Sequence, residues 1–579
     1  MKGAGVVVVL LSLAALQPPL AANSLVLLNG NIYTADARNS RAQAVVAVDG
    51  HITFVGDDAQ ATQHAPRDAV TIDLGRRTVL PGLTDSHAHL AGIGFREFTF
   101  DLEGTSSVAD LQHRLAERAK TTAGEWISGR GWIETQWTPA EFPSRKDLDA
   151  VVSDRPVFLR RADGHAALVN SRALVVANID RGTPDPDGGH IERDAAGEPT
   201  GMLIDKAMAL VFDRLPPPSD AELRRALEVG AERSVRIGWT QLQIPGNSWK
   251  EIDLLRQLCA QGRIKLRVYD AVSGPGPEAD RLLADGPVLN ECNGCLTVRG
   301  IKLYIDGALG SRGAALLAPY SDAPQSRGLL VNTEEDIFSV LVKALRRGIQ
   351  VETHAIGDRG NRIMLDLYEK AFNAVPIAER AVAEPRWRIE HAQILDPRDI
   401  PRFHQLGVIA SMQPSHAISD LFFAPSRLGS DRLVGAYAWR TLLESKAIVV
   451  GGSDAPVERG DPIVEFYAAV VRRSLDGFAD DNWHREQRVS REQALRMFTI
   501  WPAYAAFMER ERGSIEVGKQ ADFTVMSADI MTIPDNEILK AHAVMTIIGG
   551  AVSHAEPGIT TSKESTEKVS PTAASQPSM

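Results

Sequence analysis

Cysteine is almost missing from this chain, with 3 residues in 579. So few thiols exclude a small fold stapled by disulfides. Cys292 and Cys295 form CNGC, a spacing shared by redox and zinc motifs, yet no second CxxC or Cys/His pair accompanies it. The pair is expected in a surface turn before a strand, with a local disulfide open to it after export, and Cys259 is expected to be a buried helical thiol. An excess of basic residues is also lacking. The net charge is −11, without the basic footprint of a nucleic-acid binder and without attraction for an acidic membrane surface. Long apolar runs occur only at the start, where Gly5 to Leu16 falls short of the ~20 residues a spanning helix needs. No GxSxG elbow, HExxH helix or GxxxxGK[ST] phosphate loop is present, which removes three common catalytic designs.

What is present begins with a secretory pattern. Lys2 supplies a positive start, the apolar stretch follows, and Leu20-Ala21-Ala22 offers a cleavage site. Residues 1–22 are therefore expected to be a signal peptide and the mature protein to be periplasmic or secreted, with no stable membrane insertion after its removal; an uncleaved N-terminal anchor or a buried strand are the alternatives for this segment.

Both ends of the mature chain carry short alternating strands. Near the start these include SLVLLNGNIYTAD and AVVAVDGHITFVGDD, where Asp49-Gly50 marks a hairpin turn; near the end they include GSIEVGKQADFTVMS and AVMTIIGGAVSH. Neither end has enough strands for a stable sheet, so one small β-domain is expected from residues 23–79 and 505–555 together. Asp522, in GKQADF, is expected to form a structural turn there. Between these ends, helix signals alternate with apolar runs. Ser219 with Glu222 and Ser490 with Gln493 form capping boxes, and a periodic helix from Thr333 stops at Gly348. Candidate strands lie near 80–86, 239–244, 264–271, 299–305, 349–353, 386–390, 408–412 and 447–452. Eight such strands with crossover helices predict an α/β fold, a closed (β/α)8 TIM-like barrel over residues 80–504. The long gap after the first strand predicts an inserted subdomain at about 95–235, rich in loops or hairpins. Residues 556–579, rich in Ser, Thr, Pro and Lys, are expected to be a disordered tail.

The chemistry-bearing residues gather at predicted strand ends. In LPGLTDSHAHL an apolar run ends in His87-Ala88-His89, and residues two apart on a strand point to one side, where both imidazoles reach one metal ion. His354 follows IQVET, His391 follows WRIE, and Asp454 follows AIVVGGS. Barrel active sites are built at the C-terminal ends of strands, so four such sites of metal-competent side chains argue against coincidence. Lys302 falls on a strand in RGIKLYIDG, where a buried amine needs a partner or a modification. The alternatives are a salt bridge to Asp306 or Glu390, or carbamylation by carbon dioxide to an anionic oxygen ligand.

These segments, together with KLYIDGALGSRGAALLAPYSD, ETHAIGDRG, RIEHAQ, MQPSHAISD, GGSDAPVE, RGWIETQW and DGHAALVNSRAL, resemble the amidohydrolase superfamily. More narrowly they resemble the amidohydrolase family 3 group of YtcJ-like proteins, which includes N-substituted formamide deformylases, over roughly residues 24 to 555. The resemblance implies a composite β-sandwich beside the barrel. It also implies that His87, His89 and Asp454 bind the more buried metal, and that a carbamylated Lys302 bridges to a second metal on His354 and His391. Members differ in holding one ion or two.

The resulting expectation is a hydrolase of a non-peptide carbon–nitrogen bond in a small-molecule substrate. A divalent ion, with zinc best matched to imidazole and carboxylate donors, would activate water, and Asp454 would move the proton. His165, His416, Asn170, Trp132 and Arg130 are candidate substrate contacts, with structural roles equally open to them. A deaminase, an ester-cleaving member, or an exported non-catalytic binding or regulatory protein on the same scaffold are the alternatives. A homodimer is the assembly left open.

Overall fold

The computed structural model describes residues 24–122, 124–134, 137–139, 141–161, 166–186, 189–475, 483–558 and 561–563. The expected signal segment and His165 lie outside the described residues.

Eight parallel strands form the central sheet in strict chain order. They are β1 (Leu83–Asp85), β2 (Trp239–Asn247), β3 (Arg267–Ser273), β4 (Leu296–Tyr304), β5 (Gln350–Ala355), β6 (Arg388–His391), β7 (Ile409–Met412) and β8 (Val449–Gly451). Ser86 N donates to Gly451 O at 3.0 Å, which brings the first strand against the last and closes the barrel. The fold class expected from the strand count is the one observed. Local signals explain the crossover helices. Ser219 caps Asp220–Arg236 with a reciprocal Glu222 bond, and Thr333 caps Glu334–Arg347, which stops at Gly348 in the left-handed region (φ 65°).

The two chain ends build a β-sandwich. One sheet carries Leu25–Leu28, Ala44–Val48, His51–Gly56 and Val70–Asp73. The other pairs Thr78–Pro81 antiparallel with Phe523–Met526, which in turn pairs with Ala543–Ile548. Leu25, Leu27, Val45 and Ile72 pack against Val79, Phe523, Val525 and Met545 between them. The hairpin turn at Asp49-Gly50 has both residues at positive φ (48° and 79°), as the sequence pattern requires. Asp522 ties this unit to the barrel through a buried ion pair, with Oδ2 2.7 Å from Arg267 Nε on β3.

Three expectations need correction. The insertion is more than loops: between Phe100 and Asp205 it forms its own six-stranded mixed sheet, with a hydrophobic core on each face. It also ends before Asp220, because the helix Asp220–Arg236 packs on Leu90–Phe98 and leads into β2. The tail is partly ordered, since Thr561–Lys563 pairs antiparallel with Val70–Asp73; backbone ladder bonds need no apolar side chains. Finally, CNGC is not where two sulfurs meet. Cys292 and Asn293 are both left-handed (φ 51° and 58°), and Cys295 Sγ instead lies 2.7 Å from Cys259 Sγ.

Candidate metal centre

The C-terminal ends of the barrel strands converge on one polar cluster. His87 and His89 lie beyond β1, in the turn to the helix Leu90–Phe98, where His89 is the residue before the first helical position. Strand alternation therefore does not align them, contrary to the expectation; a network around Asp85 does. Asp85 Oδ1 accepts from His87 N at 3.1 Å and Ser453 N at 2.9 Å, and its Oδ2 accepts from Ser453 Oγ at 2.5 Å. Asp454 N then donates to His87 O at 2.6 Å. A Cβ on Gly452 would stand 2.6 Å from His87 N, so only glycine permits this approach.

Asp454 is the hub. Its Oδ1 lies 3.1 Å from His89 Nε2 and 3.6 Å from His87 Nε2, and its Oδ2 lies 3.7 Å from His416 Nε2. Asp454 is held in the left-handed region at φ 56° and His391 at φ 73°, a strained backbone typical of functional sites. Two groups of ligand atoms are close enough to share an ion: His87, His89 and Asp454, and His391, His416 and Asp454. His391 Nδ1 is held by Gln413 Oε1 at 2.8 Å, which leaves Nε2 for the cluster. The His354 ring lies 4.6 Å from that of His391, and His354 Nε2 has no hydrogen-bond partner.

Burial sets the protonation states. It pushes His87 and His391 well below the usual imidazole range, reinforced by Lys302 at His87 and by neighbouring histidines at His391. It brings His354 down to about 3, with Lys302 adding to the effect. Neutral imidazole is the form that binds a metal. Burial alone would raise Asp454, but the hydrogen bond with His89 and the nearby His87 and His391 hold it well below the carboxylate range. Several imidazole nitrogens and a carboxylate, with the buried His354 and His416 Nε2 atoms lacking hydrogen-bond partners and carboxylate oxygens 3.6 and 3.7 Å from them, form a donor set that fits a divalent cation.

Lys302 is 1 % exposed and makes no ion pair within 4 Å among the described residues. Burial lowers its pKa, against the pull of Glu390, Asp454 and Glu352. The salt-bridge alternatives are thus not realised. Asp306 spends its oxygens on Ala315 N, Ile356 N and Gly357 N, at 2.8 to 2.9 Å. Glu390 Oε2 is 2.5 Å from His87 Nδ1.

The expected substrate contacts separate. His416 stacks on His391, with ring centroids 5.8 Å apart, and joins the cluster as a ligand-competent group. Asn170 does not reach it: its side chain bonds Val157 N, Ala173 N, Val152 O and Arg155 O inside the insertion. Trp132 is buried in the insertion core, with Nε1 bonded to Leu159 O at 2.9 Å. Arg130 pairs with Glu103 at 3.3 Å. Asp85 and Gln413 were not singled out by sequence, and Glu390 was expected only as a partner of Lys302, not of His87. Neighbours on a strand face opposite ways, so Glu390 and His391 are not expected together; Glu390 faces inward with Arg388 two residues before it, and the left-handed backbone at His391 brings that residue to His87 as well.

A barrel with this cluster at its strand ends, beside a composite β-sandwich, defines a metal-dependent hydrolase architecture. The profile described as the amidohydrolase family matches residues 70–554, and the chain belongs to that family. It is 33% identical over 537 residues to the amidohydrolase-named YtcJ of Bacillus subtilis (strain 168), covering 90% of this chain and 98% of that one. It is 34% identical to the protein LONG AFTER FAR-RED 3 of Arabidopsis thaliana, covering 93% of each. It is 28% identical to the N-substituted formamide deformylase of Arthrobacter pascens, covering 92% of this chain and 99% of that one. A crystal structure of an uncharacterized metal-dependent hydrolase from Pyrococcus furiosus superposes with a TM-score of 0.72 at 29% identity, covering 88% of this chain and 100% of that one.

Proposed function

We propose that this hydrolase cleaves a carbon–nitrogen bond, other than a peptide bond within a protein, in a small molecule. The observation that carries the proposal is the placement of Asp454, with imidazole nitrogens 3.1 and 3.6 Å from Oδ1 and a third 3.7 Å from Oδ2. His87, His89, His354, His391, His416 and Asp454 are the residues available to hold metal, and zinc suits their donor set. When bound, a divalent cation lowers the pKa of water and withdraws charge from a carbonyl oxygen.

The chain's own groups supply the rest. Asp454, kept ionised by its neighbours, accepts the proton of the attacking water and returns it to the leaving nitrogen. His416, whose Nε2 lies 3.7 Å from Asp454 Oδ2, donates toward the substrate oxygen where it does not itself hold the metal. Lys302, with its amine pKa lowered, has more of the neutral form that reacts with carbon dioxide, and its carbamate would add an anionic oxygen to the cluster. The resemblance to an N-substituted formamide deformylase supports the amide-type bond.

The test is a screen of metal-reconstituted protein against N-formyl amines, N-acyl amino acids, cyclic amides and simple esters. Hydrolysis of an amide that a chelator abolishes and added metal restores is the expected result. Ester cleavage alone, or activity that survives chelation, overturns the proposal.

A further inference from the structure

The opposite pole of the barrel carries a second set of reactive groups. Cys259, at the end of the helix Trp249–Ala260, places its Sγ 2.7 Å from that of Cys295, at the foot of β4. A disulfide is about 2.05 Å long, so an approach of about 0.7 Å would bond the two sulfurs. Cys259 is buried and Cys295 half-buried. Two guanidinium groups stand by. Arg267 donates to Gly294 O at 3.3 Å, and the buried Arg512 has Nε and Nη2 without hydrogen-bond partners. The thiol hydrogen bond from Cys259 and these two cations lower the Cys295 pKa, against its burial. Cys295 is thus the readier nucleophile.

Cys292 is not the partner. Its left-handed backbone sends Sγ toward Arg256 O, 3.7 Å away. Metal binding is not the explanation either. Among the described residues, the metal-competent groups are the two around Asp454, and adjacent guanidinium groups repel a cation.

We propose that Cys259 and Cys295 are a site of disulfide formation, filled by thiol–disulfide exchange with a disulfide-bonded oxidant. The Cys295 thiolate attacks one sulfur of the oxidant, forming a mixed disulfide and releasing the other oxidant sulfur as a thiolate. Cys259, deprotonated, then attacks Cys295 Sγ; the Cys259–Cys295 bond forms and the remaining oxidant sulfur leaves. Two protein thiols lose two electrons, the oxidant's disulfide gains them, and the two protons pass to its two thiolates. The bond ties the helix Trp249–Ala260 to β4, beside the Arg267–Asp522 pair that joins barrel and sandwich. It closes a loop of the chain and so restricts the unfolded state.

The experiment uses the reduced full chain incubated with oxidised glutathione, followed by thiol titration under denaturing conditions and non-reducing peptide mapping. The three free thiols are expected to fall to one, with the Cys259 and Cys295 peptides joined and the melting temperature raised by about 3 °C. C292S is expected to form the same cross-link and C259S to form none. Three thiols remaining free, a Cys292–Cys295 bond, or a persistent glutathione adduct on Cys295 would overturn the proposal. The wild-type peptide map decides the matter even if C259S does not fold.

Discussion

Glu390 Oε2 lies 2.5 Å from His87 Nδ1, and this contact fixes which nitrogen of His87 faces Asp454. The carboxylate accepts the Nδ1 proton and leaves Nε2 as the donor toward the cluster. Removing such an orienting partner weakens metal affinity by about 10–100-fold. E390Q is expected to do so without unfolding the barrel, as competition with a chromogenic chelator would report. Unchanged affinity would mean that the contact orients nothing.

Asp454 is assigned the proton transfer. D454N is expected to lower kcat by about 10²–10⁴-fold on any substrate found, the range general acid–base groups supply. The comparison needs wild type and variant loaded to equal metal content, because Asp454 also faces the donor set. Full activity in the variant would contradict the assignment.

Gly452 permits the first and last strands to approach. In G452A the new Cβ would press on the His87 backbone at 2.6 Å. The expected cost is about 1–3 kcal/mol in a denaturant melt, with weaker metal binding as the His87–Asp454 spacing widens. A variant with wild-type stability and metal content would show that the turn tolerates a side chain.

The Arg267–Asp522 pair sits almost fully buried between barrel and sandwich, with side chains 8% and 6% exposed. Losing one partner leaves an unpaired buried charge, so D522N is expected to cost about 3 kcal/mol. Burial would raise the Asp522 pKa, but Arg267 prevails and lowers it. A carboxylate with a depressed folded pKa contributes stability that is fully present above its unfolded pKa, about 3.9, and is lost as pH falls through the folded value. Acid should therefore destabilise the wild type more steeply than D522N below pH about 4. Parallel curves would argue against the pair.

Much of the barrel was legible because each strand is a short apolar run between turn or capping signals, and because Asp49-Gly50, Gly348 and Ser219 speak for their own backbone. The ring of His354, His391 and Asp454 was legible because each ends such a run. What escaped depends on contacts distant in sequence or on an irregular backbone. Glu390 meets His87 across 303 residues, and His391 beside it shares that site because its own backbone is left-handed. Cys259 finds Cys295 rather than Cys292 beside it through the packing of a helix on a strand. The inserted sheet was missed because its strands are separated by turn-rich segments that look like loops when read one at a time.

The most direct test of the central claim, a divalent-metal centre around Asp454, is the metal content of the purified full chain after expression in zinc-replete medium. The account predicts about one to two ions per chain, lost in a variant carrying both H87A and H89A. A stoichiometry near zero in the wild type would contradict it.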